Sequence, residues 1–89
     1  MQSMHSTTGA IDMSIGQSDV IVHVGEPLDT GERGRLLATL NAVHGITRAH
    51  ADARSGQLFV VDYDQRAISA LGVLRCVQAQ GYAARLVGM

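Results

Sequence analysis

A change of period across Val24-Gly25-Glu26-Pro27-Leu28-Asp29-Thr30-Gly31-Glu32 constrains this chain more than any other stretch. Before it, Val20, Val22 and Val24 alternate with Ile21 and His23, the period of a strand with one buried face. Gly25 and Pro27 stop that strand. After it, Leu36, Leu40 and Val43 recur on one helical face, with Leu37 beside them. Asp29 is a suitable N-cap, and Glu32 stands at the spacing of a capping box, with Asp in place of Ser or Thr. Gly34 weakens the first turns by roughly 1 kcal/mol relative to Ala, and Gly45 is expected as a left-handed cap after the helix.

The signals then repeat in a different order. Ile46 to Asp52 reads as a strand with Ala49 and Ala51 on one face and Arg48 and His50 on the other. Leu58 to Tyr63 is the strongest strand pattern, with Phe59, Val61 and Tyr63 opposite Leu58, Val60 and Asp62. The short link Arg54-Ser55-Gly56 makes the two a hairpin. Ser69 is the N-cap of a second helix, preceded by Ile68 as a hydrophobic staple. Val73, Cys76, Val77 and Gln80 form its stripe, Gly81 ends it, and Tyr82 to Val87 is a last strand. The order βαββαβ predicts an α+β, ferredoxin-like fold: a four-stranded antiparallel sheet with both helices on one face. The domain runs over 18–89. Residues 1–17 read as a flexible tail, polar at its start and without a period. Within that tail, Ala10 to Ile15 alternates weakly, and Met4, His5 and Met13 are soft-ligand types that read as tail rather than as a site.

Composition narrows the function classes. With 46% hydrophobic and 3% aromatic residues, the core must be built from Val, Leu, Ile and Ala. Seven basic and eight acidic residues are interspersed, so no basic footprint for nucleic acid is present. No apolar run approaches a membrane span and no secretory signal is visible, so no membrane insertion and a cytoplasmic location are expected. Cys76 is the only cysteine, which excludes an internal disulfide and any within-chain cysteine pair for a soft metal. On the helical stripe it reads as a small core hydrophobe. No nucleophile–base pattern or phosphate-cradling glycine loop is present, so an enzyme is not expected.

From about residue 36 to 87 the chain resembles the heavy-metal-associated domains: small copper chaperones, MerP-type mercury-binding proteins and the N-terminal modules of metal-pumping P-type ATPases. The features that carry the resemblance are Leu36 and Leu40, Gly45-Ile46, Tyr63-Asp64, Ile68-Ser69, and Gly81-Tyr82 followed by Ala84 and Leu86. Counted back from Gly45-Ile46, the family's two metal-binding cysteines fall on Asp29 and Glu32. The Met-Thr pair that usually precedes the first cysteine falls on Pro27-Leu28. The resemblance implies a role in metal trafficking or resistance, with a protein partner such as a metal transporter. The chain keeps the frame and lacks the Cys-x-x-Cys.

Two thiolates hold a soft ion such as Cu(I); carboxylates are hard oxygen donors and cannot replace them. Asp29 and Glu32, with His23 as an outside candidate, therefore point at most to a harder divalent ion, and Cu(I) is not expected at this loop. Capping is the simpler role for both carboxylates, because a first helical turn favours negative charge. His44 is expected at the end of the first helix, facing the negative end of its dipole. His23 and His50 are expected on the open sheet face, two strand spacings apart, about 9.6 Å. Ile21, Leu58 and Val60 join His50 there as an apolar interaction face. Such a cluster on a small domain points to a protein partner, a homodimer, or cover by the N-terminal segment Ala10–Ile15. A regulatory domain of the ACT type shares the fold, but the Gly81-Tyr82 ending argues against it.

Overall fold

The computed structural model describes residues 16–87. The weakly alternating Ala10–Ile15 stretch and the ligand types Met4, His5 and Met13 lie outside the described residues. Six elements follow in the order β1 (Gln17–Val24), α1 (Thr30–Asn41), β2 (Ile46–Ala51), β3 (Leu58–Asp64), α2 (Ala70–Ala79) and β4 (Ala84–Val87). The strands form one antiparallel sheet in the order β2-β3-β1-β4, the ferredoxin-like α+β arrangement. β1 opens one residue ahead of Ser18, the expected start of the domain, and Gly16 is already buried, its carbonyl accepting from the Gln65 N–H at 2.7 Å.

Strand period and burial agree on the central strands. Val20, Val22 and Val24 of β1 are buried, as are Phe59, Val61 and Tyr63 of β3. Against them lie Leu36 and Leu40 of α1 and Val73 and Val77 of α2. Leu37, Val43, Leu74 and Cys76 pack partly buried around this centre, so Cys76 takes the place of a half-buried hydrophobe.

β2 departs from simple alternation. Ile46 and Ala49 are both buried, although three positions apart they belong on opposite faces of a regular strand. The register explains it: Ile46 pairs with Tyr63 and Arg48 with Asp62, so β2 advances two residues while β3 advances one. Thr47 is the extra residue of a bulge, and its hydroxyl donates to the Asp62 carbonyl at 3.0 Å. Beyond the bulge, Ala49 faces the core and Arg48 and His50 face away, as expected. The outer edge of β2 is covered by Asn41 at the end of α1. Its amide donates to the Ala49 carbonyl at 3.1 Å, and its oxygen accepts from the Ala49 N–H at 2.9 Å. One side chain thus stands in for a neighbouring strand at an edge otherwise open to pairing.

The helix ends are decided locally. Ser69 Oγ accepts from the Gly72 N–H at 2.9 Å, and Gly81 follows the C-cap Gln80 with φ 96°. The first helix ends differently from the expectation. α1 stops at Asn41 with Ala42 as C-cap in right-handed geometry, and Gly45 takes its φ of 98° in the turn that leads to β2. A Cβ on Gly45 would come within 2.9 Å of Ile68 Cγ2, so the turn needs both the positive φ and the missing side chain. His44 is accordingly not at the helix end. It sits exposed in that turn.

Candidate functional site

The Val24–Glu32 loop is held at one end of the sheet by two other segments and by its own buried Leu28. The Val24 N–H donates to the Gln57 carbonyl at 2.8 Å, and Gln57 Nε2 donates back to the Val24 carbonyl at 3.1 Å. The Gly25 N–H donates to the Ala83 carbonyl at 2.8 Å, and the Leu28 N–H to Gly56 at 3.2 Å. Leu28 itself is buried in the core. The loop is therefore pinned by the β2–β3 turn on one side, the approach to β4 on the other, and an apolar plug beneath. A small cavity of about 120 Å³ lies against it, lined by Glu26, Pro27, Glu32, Gly81 and Tyr82 among others.

Asp29 and Glu32 are engaged with each other's backbone. Asp29 Oδ1 accepts from the Glu32 N–H at 2.7 Å, and Glu32 Oε1 accepts from the Asp29 N–H at 3.2 Å. This is a complete capping box, reciprocal and local. Each carboxylate satisfies an N–H that the first turn of α1 would leave without an intrahelical partner. Replacing Asp29 with Ala is expected to lower stability by about 1 kcal/mol. Urea denaturation would read this as a lower midpoint at unchanged slope; an unaltered midpoint would show that the box contributes nothing.

The structure does not assemble the three metal-ligand candidates. His23 lies on the open sheet face, half-buried, beside Arg85 on β4, whereas Asp29 and Glu32 point into the helix start. Among the described residues, no group of three or more His, Cys, Asp or Glu comes together in a way that could hold a metal ion. The donor set at the loop does not fit a soft ion either: it offers carboxylate oxygens already accepting N–H groups, and no thiolate.

The proposed interaction residues do share a face. Ile21 pairs with Val60, Val60 with His50, and His23 with Leu58, so all five lie on the side of the sheet away from the helices. Ile21 is 37% exposed, the apolar centre of that face. His50 Nδ1 is shielded from solvent without a hydrogen-bond partner among the described residues. His23 and His50 are two strands apart and are also offset by two residues along β3.

Sequence reasoning missed Leu28, Gln57 and Ala83 as the residues that hold the loop. Leu28 had a usable signal, an apolar residue immediately before an N-cap. Gln57 had none, because its bond to Val24 spans a separation of 33 residues.

The chain matches no protein-family model and no curated protein sequence. Solved structures do resemble it. A CopZ metallochaperone is similar with a TM-score of 0.67 at 22% identity, over 76% of this chain and 100% of that one. Oxidized MerP from Ralstonia metallidurans CH34 is similar with a TM-score of 0.71 at 14% identity, over 81% and 99%. A copper transporter domain from yeast, solved in apo and Cu(I)-loaded states, is similar with a TM-score of 0.67 at 17% identity, over 79% and 94%. The chain has the fold of these domains. No helix among the described residues is long and apolar enough to cross a membrane.

Proposed function

We propose that this chain is a heavy-metal-associated-like domain of the metal-trafficking or resistance type whose metal loop has been converted into a helix cap. Its metal binding is weak or altered, and Cu(I) is not its cargo at this loop. The observation that carries the proposal is the reciprocal capping box: the two residues at the expected cysteine positions direct an oxygen at backbone N–H groups, not at a shared outward point. The frame supports the trafficking class, since similar solved structures include a metallochaperone and a copper transporter domain. The partner implied is another protein, such as a metal transporter.

The test is a titration with Cu(I), Zn(II), Ni(II) and Co(II) at neutral pH, followed by amide chemical shifts. Cu(I) is expected to leave residues 25–33 unmoved at stoichiometric concentration, while a divalent ion moves them, if at all, only in large excess. Stoichiometric Cu(I) shifts confined to 25–33 would sink the proposal.

A further inference from the structure

The open face of the sheet is polarised along its strands. Its rows follow from the pairing register, because directly opposed residues of antiparallel strands share a face. The middle row is His50, Val60, Ile21 and Val87, largely apolar. On one side of it, Asp19 stands directly opposite Asp62, with Arg48 beyond. On the other, Arg85 stands opposite His23, with Leu58 beyond. Like charges directly opposed across strands are unfavourable, yet Asp19 and Asp62 oppose each other at one end, with Arg48 on the far side of Asp62, while Arg85 is the cation of the other end. Among the described residues the ion pairs are Arg54–Asp52 and Arg66–Asp64, so neither Asp19 nor Arg85 has a charged partner within 4.0 Å.

We infer that this face is a self-complementary docking surface whose occupant is a second copy of the chain, laid face to face with its strands antiparallel. The charge pattern selects the orientation. A half-turn about an axis running across the strands sets the middle rows against each other and exchanges the ends. Asp19 of one copy then lies over His23 of the second copy, with the second copy's Arg85 one strand away, about 4.8 Å. A half-turn about an axis along the strands would instead stack carboxylates on carboxylates. Sheet faces pack at about 10 Å separation, close enough for these side chains to interdigitate and for Ile21 to leave water. The face is about four strand widths across, roughly 19 Å, and about five residues along β1 from Asp19 to His23, roughly 17 Å, so it covers about 320 Å². That area is small against the ~800 Å² per partner of a standard interface, so the dimer forms with concentration and is not obligate. The inference is independent of what the metal loop binds.

Sedimentation equilibrium of the full chain, from about 10 μM to about 1 mM at low salt, tests it; the range brackets the affinity of a transient dimer. Dimer is expected to grow with concentration and to weaken as salt screens the end contacts. Arg85→Asp and Asp19→Arg should each weaken dimerisation at least about tenfold, roughly 1.4 kcal/mol. The double swap, Asp19→Arg with Arg85→Asp, should recover most of that loss, and Ile21→Glu should abolish the dimer. Circular dichroism checks that each variant is folded. A monomer throughout the range, a dimer indifferent to salt, or a swap that does not recover would each overturn the inference. So would a dimer that Ile21→Glu leaves intact, since that dimer would use another surface.

Discussion

Placing cysteines at both loop positions, Asp29→Cys with Glu32→Cys, is expected to create a Cu(I) site where the native loop has none. The backbone already holds these positions in place: the loop is pinned at Val24, Gly25 and Leu28, and the second position lies in the first turn of α1. A thiolate there is favoured, because a helix N-terminus lowers a cysteine pKa and favours negative charge. Soft thiolates then replace hard oxygens for a soft monovalent ion. The gain in Cu(I) affinity should be at least about a thousandfold, roughly 4 kcal/mol. It comes at the loss of the capping box, about 1 kcal/mol of fold stability. Competition against a coloured Cu(I) chelator would measure both proteins side by side. Equal affinity of variant and native chain would show that these are not the metal-loop positions of the fold.

Phe59→Ala is expected to be the most damaging single truncation of the core. Phe59 is the only phenylalanine, is fully buried, and lies on β3, between β2 and β1. Its loss removes apolar contact and leaves a cavity beneath both helices, at a cost of about 3–5 kcal/mol. A domain of this size has few other large side chains to collapse into the gap, since its core is otherwise Val, Leu, Ile, Ala and one tyrosine. With total stability of about 5–15 kcal/mol, that is a large share of the fold. At a urea slope of about 1 kcal/mol/M, the unfolding midpoint should fall by about 3 M or the variant should be unfolded in buffer. A shift under about 0.5 M would mean that the sheet closes over the vacancy.

Several features were legible because their causes lie within a few residues. The period of Val20–Val24 and of Leu58–Tyr63 marked two strands and their buried faces, and burial agrees at every one of those positions on the core side. Asp29 and Ser69 were recognisable as caps because a cap needs only a short polar side chain before a helical stripe. Other features came out differently. Gly45 reads as a helix cap from its place after Val43, but its left-handed geometry serves the turn against Ile68, a neighbour the first helix does not reveal. His44 moved with it, out of the helix dipole and into that turn.

By itself, then, the sequence determined the element order, the core faces of the central strands, both helix starts, and the absence of the thiolates that soft-metal exchange needs. Each of these is a matter of local period, capping chemistry or donor type. The tertiary structure alone decided the bulge at Thr47, the plug formed by Leu28, the clamp of Gln57 on Val24, and the register that sets Asp19 against Asp62 and His23 against Arg85. These depend on which strands pair and where. A register shift of one residue sends every side chain to the other face, and no local period records which shift the distant partner imposes.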